Sequence, residues 1–339
     1  METAAISTAA VLVALLLFGG FAVVRGLDPL EVYRVLYLGA FGSWFAVQNT
    51  LTQAAPLMLT ALCTAVPARA GLLVIGGEGA LVMGGLATVL AGVLLANVPG
   101  PPGIALLCAT GAVAGGLWVG VAGALRHWRG VNETISTLLL NYIAIAVLNH
   151  LITGPIRDFD QVLKPASWSV GEHLRIGDVP GTSIHWGLVF GVAACALLWV
   201  LMRGTTFGFA VDILGGNVRA ARMAGLPIGA MVLVACFLGG AAAGLAGAVE
   251  VIAVHGFASS SLVVGYGYTG ILVAFLARQN PLAIAFVSVL LGGISASGGL
   301  LQRRFGLPDA ATLVLRGFLF VAVLAGSTLY GRLRIVRRP

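Results

Sequence analysis

Four ionisable side chains stand inside long apolar stretches: Glu78 in GLLVIGGEGALVMGG, Glu133 in GVNETISTLLLNYIA, and Glu250 and His255 in GAVEVIAVHGF. A charge in hydrocarbon costs about 3 kcal/mol on insertion scales, so such groups are kept where they cap a helix, pair, or line a path for a polar solute. Gly77 and Gly79 flank Glu78, expose backbone and allow a break in the helix, which is tolerated where irregular backbone lines a cavity. Asn132 can cap a helix opening at Glu133, whose carboxylate suits the positive end of a helix dipole. Asn141, two turns further on, carries an amide that must face the bundle interior or a pore. Glu250 and His255 either meet an entering solute or bond to each other. Gln48, Asn49 and Gln53 recur at helical spacing and offer hydrogen bonds along one face.

Other chemistries are excluded by what these residues lack. A phosphate loop of the GxxxxGK[ST] kind needs a lysine, and the one lysine, Lys164, follows no such glycine pattern. The chain is therefore not its own ATPase by that route. Ser295 and Ser297 in GGISASGG lack the GxSxG spacing, and the polar residues are too dispersed for a nucleophile, a base and an oxyanion hole. Cys63, Cys108, Cys195 and Cys236 have neither CxxC nor Cys/His spacing, so no metal site or disulfide framework is expected. Two transport chemistries remain: a conduit driven by a separate ATPase, and an ion-coupled carrier using buried carboxylates at mid-membrane.

The elements that position these residues are membrane helices. Of 339 residues, 59% are hydrophobic and only 9% charged, and the mean hydropathy is +1.02. Forty-eight glycines suit helices that pack backbone to backbone in lipid. Apolar runs of about 20 residues predict an all-α bundle of about ten spans, at 4–24, 44–65, 72–96, 103–125, 134–153, 183–202, 228–254, 262–277, 281–298 and 310–330. The first, with no basic region before it, reads as a span and not a cleaved leader. Small residues four apart, Gly111/Gly115, Gly116/Gly120 and Gly240/Gly244, predict close helix crossings.

A net charge of +7 invites nucleic acid as a partner, but the arginines lie in short connections, where they set topology and touch lipid headgroups. A cytoplasmic N-terminus puts eleven basic residues on the cytoplasmic side, the four tail arginines included, against seven opposite. This predicts cytoplasmic termini in a multi-pass protein of the inner or plasma membrane. A hydrophilic stretch at about 154–182 is then an external loop, and one at about 203–227 is cytoplasmic. Within the latter, Asn217 to Ala224 suits a short surface helix capped by Asn217, ended by Gly225 and stopped by Pro227.

GLLVIGGEGALVMGG, VNETISTLLLNYIA, FGFAVDILGGNVRAARMAGL, GLAGAVEVIAVHGF and GYGYTGILVAFLARQNPL, within a likeness that runs in order from about Pro56 to Gly326, resemble the permease subunits of ABC importers for nucleosides. These sit within a larger group that serves simple sugars and branched-chain amino acids. The resemblance implies a single permease domain, 1–339, of the type II importer fold. It implies a second permease subunit, identical or different, cytoplasmic ATPase subunits carrying ATP and Mg, and an external binding lipoprotein or periplasmic binding protein. No cofactor is expected on this chain and no nucleic acid as partner. The segment from Thr206 to Leu226 matches the loop that docks into the ATPase, which assigns coupling to Phe207, Gly208, Asn217, Arg219, Ala220, Ala221, Arg222 and Gly225. Arg303, Arg304 and Arg316 depart from the family pattern.

Overall fold

A computed structural model describes residues 2–160, 164–307 and 310–327. The four tail arginines, the end of the tenth expected span and residues 161–163 of the expected loop fall outside these. Among the described residues the regular elements are helical, with isolated β-bridges and no strand. The α-helices are α1 (Glu2–Val24), α2 (Pro29–Phe41), α3 (Trp44–Arg69), α4 (Gly77–Leu94), α5 (Gly100–Arg129), α6 (Glu133–Thr153), α7 (Gly187–Gly204), α8 (Thr206–Gly216), α9 (Val218–Met223), α10 (Ile228–Val249), α11 (Tyr266–Leu276), α12 (Pro281–Phe305) and α13 (Ala310–Ser327).

Seven of the described helices are long and apolar enough to cross a membrane, and an eighth is possible if α1 and α2, bent by 116°, count as one span. The expectation of about ten differs because a hydropathy window counts apolar residues and does not see where the helix breaks. Expected span 262–277 is interrupted at Gly265, held at φ +87°, so that only eleven residues of α11 follow. Expected span 72–96 turns helical only at Gly77 and still counts among the seven. The described part of span 310–330 is a shorter apolar helix.

The chain forms two compact units, residues 1–53 with 289–339, and residues 54–288. In the first, α1 packs along α13, and Asp28 and Pro29 start α2, the Asp28 carboxylate accepting from the Leu30 amide at 2.9 Å. Arg304 approaches Glu31 at 3.6 Å on a half-exposed surface, and Arg316 donates to the Ser295 hydroxyl.

The second unit is built on the α4, α5 and α10 crossings. A Cβ on Gly244 would lie 2.2 Å from the Gly111 carbonyl oxygen, and one on Gly115 would lie 2.5 Å from that of Gly240. These two expected crossings are therefore backbone-to-backbone contacts, which only glycine permits. Gly116 closes against Phe237, but Gly120 has open space around it and is not a packing glycine. Leu81, Val82, Leu86, Leu107, Leu148 and Ile252 fill the core beside them.

Candidate functional site

Between α3 and α4 the chain runs non-helical from Leu72 to Ile75; the Leu72 amide donates back to the Pro67 carbonyl at 3.1 Å, and the backbone groups that follow need other partners. Side chains serve instead. The Leu73 amide lies 3.4 Å from Glu133 Oε1, and the Leu73 carbonyl accepts from Thr134 at 2.9 Å. The Val74 carbonyl accepts from Thr64 at 3.0 Å. The Ile75 amide donates to Thr137 at 3.2 Å, and its carbonyl accepts from the Asn141 amide at 3.0 Å. Most of these partners lie on one face of α6, where Glu133, Thr137 and Asn141 recur every four residues. Non-helical backbone at membrane depth persists only when satisfied by protein in this way.

The same residues start two helices. Asn141 Oδ1 accepts from the Gly79 amide at 2.7 Å, capping α4. Glu78, fully buried, reaches across to α11: its Oε1 accepts from the Gly265 amide at 2.8 Å and its Oε2 from the Gly267 amide at 2.6 Å. A carboxylate there satisfies two orphan donors and meets the positive end of the α11 dipole. The approach depends on Gly267, whose Cβ would lie 2.1 Å from the Glu78 nitrogen, and on Gly79, whose Cβ would press on Asn141 at 2.8 Å. Gly77 has ordinary clearance, so the break lies just before the glycine pair and not within it. Thr60 adds a contact at 3.1 Å to the Tyr266 carbonyl. Sequence reading did not single out Thr60, Thr64, Thr134 or Thr137, although the four-residue spacing of Glu133, Thr137 and Asn141 announces their shared face.

Glu133 opens α6 as expected, with Asn132 accepting from the amides of Thr134 and Ile135 at 2.9 and 3.1 Å, and Arg126 lying 3.3 Å from its carboxylate. Glu250 and His255 form the two ends of a π-helical extension of α10, 3.8 Å apart. This winding frees the Ile252 carbonyl, which accepts from the Ile176 amide at 3.0 Å. Val170 and Ser167 donate likewise to the Gly256 and Ala258 carbonyls, so loop 154–182 is strapped along the end of α10. Gln48 is buried and Asn49 and Gln53 half-buried on α3, in the unit formed by the chain ends, whereas Glu78, Asn141, Glu250 and His255 belong to the central unit.

The 203–227 segment is two short helices. Thr205 caps α8 and Asn217 caps α9, accepting from the amides of Arg219 and Ala220 at 2.9 and 3.2 Å, and Gly225 follows at φ +71°. Arg219, Arg222 and Met223 are exposed, while Gly208 and Ala221 are buried. Gly208 lies against the Met202 backbone, where a Cβ would come within 2.1 Å, so it shapes the α7–α8 turn. Arg69 at the end of α3 makes a two-pronged bond to Asp212 of α8, at 2.9 and 2.6 Å.

Residues 46–324 match the family described as the branched-chain amino acid transport system / permease component. The chain belongs to this family. It is a multi-pass membrane permease of the ABC importer group, a transport component and not an enzyme, and its family works with ATPase and substrate-binding partners. The permease is similar to a glucose ABC transporter permease protein of Haloferax volcanii, 31% identical over 334 residues that cover 95% of this chain and 87% of the relative. It is also similar to a guanosine ABC transporter permease protein of Bacillus subtilis, 29% identical over 87% of this chain and 84% of the relative. A nucleoside ABC transporter permease protein of Lactococcus lactis is 27% identical over 88% of this chain and 85% of the relative.

Proposed function

We propose that this permease provides the path by which nucleosides cross the membrane, alternating between two bundle conformations as a separate ATPase binds and hydrolyses ATP. The observation that carries the reading is the pair of capped helix starts, α4 held by Asn141 and α11 by Glu78, which ties broken helices together inside the central unit. Broken helices at depth are where transporters place their paths. The guanosine and nucleoside permeases among the relatives favour a nucleoside, and the glucose permease at 31% identity favours a second reading, a simple sugar.

In this proposal residues 1–339 act as one permease domain of the type II importer kind, with cytoplasmic termini and an external loop at 154–182. It pairs with a second permease subunit, identical or different, and receives substrate from a binding lipoprotein or periplasmic protein. ATP and Mg reside on the ATPase, and this chain carries no cofactor. Glu78, Asn141, Glu250 and His255 border the path in the central unit, Gln48, Asn49 and Gln53 offer hydrogen bonds along one face of α3, and substrate passes without a tight site. Residues 203–227 couple to the ATPase. The exposed Val218, Arg219, Arg222 and Met223 support that role, an apolar and basic tip on a helix braced from within by Ala221.

Deleting the partner ATPase is expected to abolish uptake of radiolabelled guanosine, and excess unlabelled adenosine should compete where glucose does not. Undiminished uptake without the ATPase would overturn the importer reading, and competition by glucose alone would select the sugar. Reversing charge at both Arg219 and Arg222, to glutamate, is expected to lower ATPase recovery on copurification roughly tenfold, because like charges set against a docking surface are strongly unfavourable. Unchanged recovery would mean that these arginines face lipid only.

A further inference from the structure

The last turn of α8 meets the chain where it leaves α3, and two unlike contacts join them. A Cβ on Gly215 would lie 2.0 Å from the Arg69 carbonyl oxygen and 3.1 Å from the Gly71 nitrogen, so backbone rests on backbone with no side chain between to yield. Gly71, at φ +78°, turns the chain away from α3 at that point. One turn earlier on the same face of α8, Asp212 takes the Arg69 guanidinium at both oxygens, at 2.9 and 2.6 Å.

Stability does not account for the ion pair. Its side chains are 20% and 48% exposed, and pairs open to water contribute little to folding. Val211 and Leu214, both buried, hold α8 down. What two parallel bonds from a planar guanidinium supply is orientation, since the fork fits a carboxylate in one plane only. With Gly215 as a second point of attachment, α8 can neither slide along the end of α3 nor rotate against it without breaking one of the two contacts.

Both flanks of this contact are short and already tied. Asn217, two residues beyond Gly215, caps α9, which presents the exposed Arg219 and Arg222. Leu72, three residues beyond Arg69, opens the non-helical stretch that Glu133, Thr137 and Asn141 hold and that leads to Glu78. So few residues carry a displacement with little slack, and coupling between distant sites runs through such packed and bonded elements. We propose that Arg69, Asp212 and Gly215 form the junction through which movement of α8 and α9 reaches residues 72–75 and the start of α4. Arg69 and Asp212 are positioning residues, acting through the backbone at 72–75 and not on the solute. The inference rests on the reading of residues 203–227 as the segment that couples to the ATPase.

Asp212→Ala should fold as well as the native chain, because the pair adds little and alanine favours a helix. It is expected to copurify with the ATPase within about twofold of native, yet to import about tenfold less per ATP hydrolysed of whichever radiolabelled solute, guanosine or glucose, the native complex takes up. Exchanging the partners, Arg69→Asp with Asp212→Arg, should restore that ratio to within about threefold of native. Amide hydrogen exchange of the full-length permease, with neither ATPase nor solute present, should rise about tenfold at residues 73–75 in Asp212→Ala and stay native in α5. A purely local role for the pair would loosen α8 and leave 73–75 protected, and that result overturns the proposal. An unchanged ratio of import to ATP hydrolysed, or no recovery in the exchanged pair, overturns it as well. Because hydrogen exchange is read without transport, faster exchange at 73–75 together with native uptake that survives loss of the ATPase would sink the importer reading and leave the junction standing.

Discussion

Glu78→Ala is expected to reduce uptake to background and to lower the unfolding free energy by about 3 kcal/mol or more. The Glu78 carboxylate is the acceptor for two buried amides of α11, and hydrogen bonds to a charged group contribute about 1.5–3 kcal/mol each. Alanine leaves both donors without an acceptor in an apolar interior and frees the start of α11 from α4. Glu78→Gln, which keeps one acceptor oxygen in place, should recover part of the stability. Cys63→Ala is the control: its thiol is equally buried but caps no helix, and truncation costs about 1 kcal/mol with uptake near the native level. Thermal unfolding in detergent and radiolabelled uptake in cells read both effects. Equal uptake by the alanine variants at positions 78 and 63 would remove Glu78 from the machinery.

Gly247→Ala is expected to be as damaging for a different reason. The added methyl would stand 1.9 Å from the Leu81 carbonyl oxygen and 2.7 Å from the Gly85 nitrogen, both backbone atoms that cannot swing away. The α4–α10 crossing must then open, and over-packing of this kind costs about 3 kcal/mol. Gly120→Ala should leave stability unchanged or slightly raised, since nothing lies within 4 Å of the new methyl and alanine is the better helix former. Expression level and melting temperature of the pair compare one methyl group in two settings. Similar melting temperatures would mean that the helices part more easily than the contacts indicate.

These two sites mark how far the residues could be read in advance. Asn217, Gly225 and Pro227 announce α9 because capping and stopping are local, set by atoms within a few residues of one another. Asn132 and Glu133 announce the start of α6 for the same reason. The oddity of Glu78 was visible, as was its option of capping a helix. Its partners, Gly265 and Gly267, lie 187 and 189 residues away, and no periodicity connects positions so far apart. Glycine spacing marked Gly111, Gly115, Gly240 and Gly244 correctly and Gly120 wrongly, because a small-residue pair states which side of a helix is thin and not whether another helix occupies it. Hydropathy counted 262–277 as a full span although the break at Gly265 leaves an eleven-residue α11, while the stretch 72–75 only shortened a span that still counts among the seven.

The side-chain partners of residues 72–75 also constrain the order in which the polypeptide matures. Thr137 and Asn141 are 62 residues downstream of the Ile75 and Gly79 amides they accept from. A ribosome delivers α4 to the insertion machinery before it has made either acceptor, so this stretch cannot partition into lipid as a finished helix. Until α6 emerges, the Ile75 and Gly79 amides have no protein acceptor and water must take that place.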